Sequence, residues 1–235
     1  MPDHIPVITV DGPSGTGKGT LCGRLAENLG YHLLDSGSLY RVLAYVAEKK
    51  NIPLDDIGAL VEEAHKLDLE FKKTDELVLI LLDGEDISAQ IRTEECGNMA
   101  SKVAAIPDVR AALFDRQRAF QKKPGLVADG RDMGTVVFPQ ADLKIYLTAS
   151  QKVRAERRYK QLNDKGNDVN VAHLLTEISR EIAKRDARDS ERQVSPLKPA
   201  DDAIIIDTSH LGIDEVEAKV MATAKEKGLV KDKQG

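Results

Sequence analysis

The sequence predicts an α/β fold whose three-layer core surrounds a five-stranded parallel sheet. Five short apolar segments alternate with helical patterns along the 235 residues, which is typical of repeated βαβ units. A glycine-rich loop also joins the first apolar segment to the first helical pattern, as in folds that bind phosphate at a strand end. The predicted strands are 5–10, 32–34, 126–128, 143–147 and 203–206.

Helical periodicity is clearest in the segments 18–29, 39–49 and 109–122. Gly30 is placed to end the first helix, and Pro124 with Gly125 to end the third. The sequence therefore predicts helices between the first and second strands and again before the third.

Two regions of the chain depart from the simple alternation of strand and helix. Segment 67–91 alternates apolar and polar residues and turns at Asp83-Gly84, which predicts two or three short antiparallel strands in an inserted lobe. Segments 150–163 and 171–192 are helical in pattern and are separated by a polar tip at 164–168. They predict a helical hairpin with a mobile tip, while the polar tail 225–235 predicts a frayed end.

The loop after the first strand is the strongest functional signal. Its glycines permit positive φ angles and turn backbone N–H groups inward, where they can surround a phosphate. The following helix presents its positive N-terminal end, and Lys18 can reach the outer phosphates. We call residues 12–20 the phosphate loop. The predicted donor-binding residues are Gly12, Pro13, Ser14, Gly15, Thr16, Gly17, Lys18, Gly19 and Thr20.

A magnesium site is predicted beside this loop. The motif G-x-x-x-x-G-K is followed by Gly19, so the hydroxyl that could contact the metal comes one residue later, at Thr20. Asp129 ends the third strand, where a carboxylate commonly orients hydrated magnesium. The alternative for Asp129 is a turn residue that precedes Gly130.

Composition limits the partners. The net charge of −5 and a pI near 5.6 argue against a surface that binds nucleic acid. Cys22 and Cys96 form no metal-binding or redox motif, and no apolar stretch approaches the ~20 residues of a membrane span. No long apolar heptad stripe demands a partner chain. We expect a soluble cytoplasmic monomer that binds small molecules.

A phosphate loop alone does not separate kinases from GTPases, transport ATPases or helicases. The chain lacks an N-K-x-D guanine motif and the basic charge of a helicase. It carries instead a set of arginines that follow strands or begin and end helices. These are Arg41, Arg110, Arg131, Arg185, Arg188 and Arg192, of which the last three share a helical face.

Arginines suit phosphoryl transfer to another phosphate, because the acceptor oxygen is already anionic and the barrier is dominated by crowded negative charge. Their forked donors bind phosphate oxygens in pairs and keep their charge in a dry site. A hydroxylated acceptor would instead need a carboxylate base, and Asp35 or Asp129 could serve. A kinase of a hydroxylated metabolite therefore stays open, as does a nucleotide-switched binding protein.

Arg131 and the arginines of the last predicted helix could instead have purely structural roles. Arg131 and Asp132 could form a surface ion pair, which would contribute at most about 1 kcal/mol. Asp186 and Asp189 alternate with the arginines of the last predicted helix, so that face could be solvated and laced by ion pairs.

Five segments resemble the bacterial cytidylate kinase family and occur in its order along nearly the whole chain. They are GPSGTGKGT at 12–20, LLDSGSLYR at 33–41, IRTEECGNMAS at 91–101, VADGRDMGTVVFP at 127–139 and KRDARDSER at 184–192. The resemblance implies a single P-loop kinase domain over 1–235, with an acceptor-binding lobe at 36–105 and a short helical lid at 154–192. It implies transfer of the γ-phosphate of ATP to CMP or dCMP with magnesium.

The resemblance also assigns roles to residues. Ser36, Arg41 and Arg131 would hold the acceptor's phosphate and neighbouring sugar, and Ser101, Arg110 and Asp132 would face cytosine. Arg185 and Arg192 would close from the lid onto phosphates, with Asp189 near the ribose hydroxyls and Arg188 also on the substrate side. The implied catalytic residues are Lys18, Arg131, Arg185 and Arg192. A carboxylate beside the cytosine amine would reject uracil, whose O4 is an acceptor.

Overall fold

A computed structural model describes residues 4–73, 78–162 and 171–230. The described residues form eight strands: β1 Val7–Asp11, β2 His32–Asp35, β3 Leu69–Lys73, β4 Val78–Leu82, β5 Glu85–Asp86, β6 Leu126–Gly130, β7 Leu143–Thr148 and β8 Ile204–Asp207. Their helices are α1 Lys18–Leu29, α2 Ser36–Lys49, α3 Ile57–Lys66, α4 Ser88–Ile91, α5 Glu94–Val103, α6 Pro107–Arg118, α7 Gln151–Leu162, α8 Val171–Glu191 and α9 Ile213–Glu226, with a π-helical turn at Met133–Val137.

The central sheet has five parallel strands in the order β2-β6-β1-β7-β8, which confirms the predicted fold class. Asp11 pairs with Gly130, and Asp35 pairs with Asp129. Because parallel strands end at the same edge, the phosphate loop, the start of α2 and the segment after β6 all meet there.

The central strands β6, β1 and β7 of the sheet are buried on both faces. One apolar cluster packs α2, α5 and α6 against it, with Leu39, Leu43 and Leu113 fully buried. The opposite cluster packs α1 and α9 against it, with Leu21 and Val220 fully buried. The three layers leave the carboxyl edge of the sheet as the place for ligands.

The inserted strands form an antiparallel sheet in the order β3-β4-β5. Its β4–β5 turn is at Asp83 and Gly84, both with positive φ, as predicted. The prediction of strands is wrong at the end of segment 67–91, where the chain forms helix α4. The Asp86 carboxylate accepts hydrogen bonds from the Ser88 backbone N–H at 2.9 Å and the Ser88 hydroxyl at 2.5 Å, and the helix begins there.

Two helices start earlier than predicted, one because a side chain caps its first turn and the other because a proline occupies its first turn. α1 matches 18–29 and ends at Gly30, which has a φ of 66°. α2 begins at Ser36, because the Asp35 carboxylate accepts from the Ser38 backbone N–H at 3.0 Å. α6 begins at Pro107 in its first turn and ends at Arg118, so the predicted 109–122 is wrong at both ends.

The last third of the chain contains the predicted helical pair, α7 and α8, which pack on each other. Their predicted mobile tip, 164–168, lies outside the described residues. The tail is ordered further than predicted, because α9 runs to Glu226 and the buried Leu229 accepts a 2.8 Å hydrogen bond at its carbonyl from the Tyr31 hydroxyl. Among the described helices, none is long and apolar enough to cross a membrane.

Candidate active site

A cleft of about 300 Å³ opens at the carboxyl edge of the parallel sheet. The phosphate loop, the start of α2, helices α5 and α6, the segment after β6 and helix α8 all contribute to its walls. The predicted site residues that line it are Ser14, Gly15, Gly17, Lys18, Gly19, Thr20, Ser36, Arg41, Ser101, Arg110, Asp129, Arg131, Asp132, Arg185, Asp189 and Arg192.

Four predicted site residues are not among the lining residues. Gly12 packs against β7, where an added Cβ would lie 2.2 Å from the Leu147 carbonyl oxygen. Pro13 and Thr16 shape the loop, since the Thr16 hydroxyl donates to the Pro13 carbonyl at 3.0 Å. Arg188 is partly buried outside the cleft, although it follows Arg185 by three residues on α8.

The phosphate loop has the backbone that an anion site needs. Gly15 and Gly17 have φ angles of 79° and 93°, which residues with a Cβ rarely adopt. α1 begins directly after Gly17, so its N-terminal N–H groups face the loop. Lys18 is buried and donates to the Pro13 carbonyl at 2.8 Å. Burial, and then the nearby Arg131 cation, lower the Lys18 pKa to about 8.

Asp129 and Thr20 fit a divalent metal. Both line the cleft, and the nearest Asp129 oxygen lies 3.7 Å from where a Gly19 Cβ would be. Burial raises the Asp129 pKa to about 7 and outweighs the opposing effect of Lys18. A bound cation would favour the ionised carboxylate, and carboxylate and hydroxyl oxygens are ligands that Mg²⁺ accepts.

Asp189 joins three elements at the centre of the cleft. Its carboxylate accepts from the Arg131 Nε at 3.1 Å and from the Ser101 hydroxyl at 3.1 Å. Burial opposes its ionisation, but Arg131 and Arg185 outweigh burial and lower its pKa. The polar face of α8 therefore lies in the cleft, and the alternative of a solvated face is wrong.

Asp132 pairs with Arg110 rather than with its neighbour Arg131, so the alternative of a surface pair is wrong too. The Arg110 guanidinium donates to the Asp132 carboxylate, and both side chains are at most 8% exposed. Arg110 also donates to the Ala104 carbonyl at 3.2 Å, and Arg192 Nη2 lies 3.8 Å from Asp132 Oδ1. The pair presents a fixed cation and a fixed anion side by side.

Ser36 and Arg41, both in α2, line the cleft. The Ser36 hydroxyl donates to the buried Gln117 side-chain oxygen at 2.8 Å. Arg41 donates to the carbonyls of Ile91 and Thr93 at 2.6 and 3.1 Å. An added Cβ at Gly97 would lie 2.7 Å from the Arg41 guanidinium, so glycine there leaves room for the arginine.

Arg185 of α8 and Arg192, which directly follows α8, keep unused donors. Within the described part of the chain, Arg185 Nε and Arg192 Nη2 are buried without a hydrogen-bond partner. Burial, and then the Arg131 and Arg41 cations, lower the Arg185 pKa to about 10. Such crowded cations with free donors are matched by phosphate oxygens.

A sequence profile described as cytidylate kinase matches residues 8–226. The chain belongs to the cytidylate kinase family. Its relatives named "Cytidylate kinase" include those of Aeromonas hydrophila subsp. hydrophila, 58% identical over 226 residues and 96% of each chain, and Photobacterium profundum, 56% identical over 222 residues, 94% of this chain and 96% of the other. The Klebsiella pneumoniae relative is 54% identical over 227 residues, covering 97% and 98%. The resemblance seen in five sequence segments is confirmed.

In this cytidylate kinase family member, sequence reasoning missed several residues that line the cleft. They are Tyr40, Glu94, Asn98, Arg158, Gln161 and Glu181. Arg158 and Gln161 share a face of α7, and the Gln161 oxygen accepts from Arg158 Nη1 at 3.2 Å. Their spacing of three residues on a helical pattern could have identified them. The packing of α7 near Glu94 of α5 could not be predicted from spacing.

Proposed function

We propose that this phosphotransferase transfers the γ-phosphate of ATP to CMP or dCMP, giving CDP or dCDP, with Mg²⁺ bound to the donor. Its membership of the cytidylate kinase family supports ATP and a pyrimidine nucleotide as substrates. The observation that carries the proposal is a single cleft that joins a phosphate loop to a buried Arg110–Asp132 pair, with arginines between them.

The donor binds at the phosphate loop in this account. Backbone N–H groups between Gly12 and Thr20 surround the terminal phosphates, and Lys18 neutralises their charge. Thr20 and Asp129 hold Mg²⁺, which shields the donor phosphates when bound.

The acceptor binds at the other end of the cleft, in the lobe formed by residues 36–105. Asp132 accepts from the cytosine amine, while Arg110 and Ser101 donate to the ring acceptors. Ser36, Arg41 and Arg131 hold the phosphate and sugar. Uracil would set its O4 acceptor against the carboxylate, so UMP binds poorly.

Transfer depends on cations rather than on a base. Arg131, Arg185 and Arg192 surround the site between the two phosphates, and together with Lys18 they stabilise the charge of the transition state. The lid, residues 154–192, brings Arg185 and Asp189 onto the nucleotides and excludes water, so the phosphate passes to CMP instead of being hydrolysed. Arg188 belongs to this substrate side when the lid closes.

Asp35, the other candidate for a carboxylate base, is already engaged in hydrogen bonds. The Asp35 carboxylate accepts from the Ser38 backbone N–H at 3.0 Å and the Ser38 hydroxyl at 2.5 Å, at the start of α2. We also propose that the enzyme acts in the cytoplasm, which fits its two free, buried cysteines.

An acceptor panel tests the proposal. ADP release is measured with saturating ATP and Mg²⁺ and with CMP, dCMP, UMP or AMP in turn. We expect CMP and dCMP to be turned over fastest. Faster turnover of UMP or AMP would contradict the assignment of Asp132 and Arg110 to the base.

A further inference from the structure

We infer that Arg154 and Arg157 of α7 are positioning residues that hold the phosphate loop in its anion-binding shape from the outside. The inference rests on the proposed function, in which this loop binds ATP. Neither arginine is among the described residues that line the cleft, and both donate to carbonyls of the phosphate loop.

Three successive carbonyls of the phosphate loop accept hydrogen bonds from α7 or from Thr208, which follows β8. Arg154 Nη1 donates to the Ser14 carbonyl at 3.2 Å, and Arg157 Nη1 donates to the Gly15 carbonyl at 3.5 Å. The third carbonyl, of Thr16, lies 3.1 Å from the buried Thr208 hydroxyl, whose single proton it shares with the Thr148 carbonyl, also at 3.1 Å. Thr208 in turn accepts from Arg157, at 2.9 Å to its hydroxyl and 2.6 Å to its carbonyl.

Holding these carbonyls fixes the opposite side of the loop. In a trans peptide the C=O and the next N–H point in opposite directions. Carbonyls of residues 14–16 that are tied toward α7 therefore direct the N–H groups of residues 15–17 away from it. An anion site needs donors that are already turned toward the ligand, since reorienting them on binding would cost affinity.

Gly15 permits the close contact between the loop and α7. An added Cβ there would lie 3.0 Å from the Arg154 Cβ and 3.2 Å from the Arg154 carbonyl oxygen. Its φ of 79° disfavours other residues as well. The loop is thus packed on the backbone of α7 and does not only contact the tips of long side chains.

Arg154 also ties the loop to α8. Its guanidinium forms a two-pronged pair with the Asp186 carboxylate, of which the Nη1–Oδ1 distance is 3.1 Å. The arginine side chain is 7% exposed and the aspartate 24%. Asp186 neighbours Arg185 and precedes Asp189 by one helical turn, so the donor loop and the cleft face of α8 share one buried guanidinium. Only arginine's fork reaches both partners at once.

The test compares ATP and CMP binding in Arg157→Gln and Thr208→Val. Each variant removes a support of the loop, and the second is close to isosteric. Isothermal titration with ATP and Mg²⁺ in the absence of acceptor should show affinity weakened about tenfold, the loss typical of one charge-assisted hydrogen bond. Titration with CMP alone should change less than twofold, because the acceptor residues keep their partners.

Lys152→Gln is the matched control, since it removes one positive charge from an exposed position of the same helix and should leave both affinities unchanged. Asp186→Asn keeps the contact from Arg154 to Ser14 and should weaken ATP less than Arg157→Gln does. If Arg157→Gln fails to fold, Thr208→Val decides.

Unchanged ATP affinity in folded Thr208→Val, or equal loss of ATP and CMP affinity, would overturn the inference. These outcomes differ from failure of the proposed function, in which the unaltered protein itself does not phosphorylate CMP.

Discussion

Lys18 is buried beside the phosphate loop and donates to the Pro13 carbonyl at 2.8 Å, and in the proposed function it acts on the outer donor phosphates. Removing its charge should cost transition-state stabilisation and not merely substrate binding. For Lys18→Ala we expect kcat to fall by about 10²–10³, the range for losing one preorganised charge-stabilising donor. Steady-state kinetics at saturating ATP and CMP measure it. Retention of near-normal kcat by a variant that melts like the parent would refute the role.

In the proposed function, the choice of cytosine over uracil depends on the Asp132 carboxylate. Asp132→Asn replaces an acceptor by an amide that can donate to uracil O4, so the ratio of UMP to CMP kcat/KM should rise more than about tenfold. The ratio is independent of how much variant is folded, which matters because Arg110 loses its buried partner. An unchanged ratio would mean that Asp132 does not face the base.

Asp11 makes stability depend on pH. Its buried carboxylate accepts from the N–H groups of Met133 and Gly134, both at 2.8 Å, yet burial raises its pKa to about 6. The unfolded group titrates near 3.8, so between these values the folded state binds more protons and stability falls as pH rises.

The contribution changes by roughly 2 kcal/mol between pH 4 and 7. Asp11→Asn does not titrate, so the stability of the parent relative to this variant should decrease by up to that amount over the same range. Chemical denaturation at both pH values measures it. An equal difference at the two values would show that Asp11 ionises normally in the fold.

At the scale of elements, the five strands of the parallel sheet were predictable because each is a short apolar run, and the central strands β6, β1 and β7 are buried on both faces. Helix starts were less predictable, since they depend on single caps such as Asp35 at α2. The phosphate loop was predictable from local spacing alone. The partners of Asp132 and Asp189 were not, because ion pairs between distant elements leave no periodic trace in the sequence.

The junction of the phosphate loop with β7 offers a stability test at this scale. Gly12→Ala would place a Cβ 2.2 Å from the Leu147 carbonyl oxygen, where backbone must move, and should destabilise the protein by at least about 3 kcal/mol. Gly30→Ala is the control, since it also has a positive φ but meets nothing within 4 Å, and should cost about 1 kcal/mol. Equal losses in denaturant unfolding would show that the loop does not press on β7.

For the whole molecule, one chain supplies every residue that we assign to the cleft, from the phosphate loop to α8. No second copy is needed to complete the site, so we expect a monomer. Light scattering coupled to gel filtration should give a mass near 25.8 kDa. A mass of about twice that value would contradict this expectation and would show a stable dimer.

In the proposed function, the whole molecule brings two anionic nucleotides end to end in one dry cleft. The most direct measurement follows the labelled γ-phosphate of ATP after mixing with the protein, Mg²⁺ and CMP. The account predicts that nearly all transferred label appears in CDP and very little as inorganic phosphate. Label released chiefly as inorganic phosphate, or ATP left unconsumed with every pyrimidine monophosphate, would contradict it.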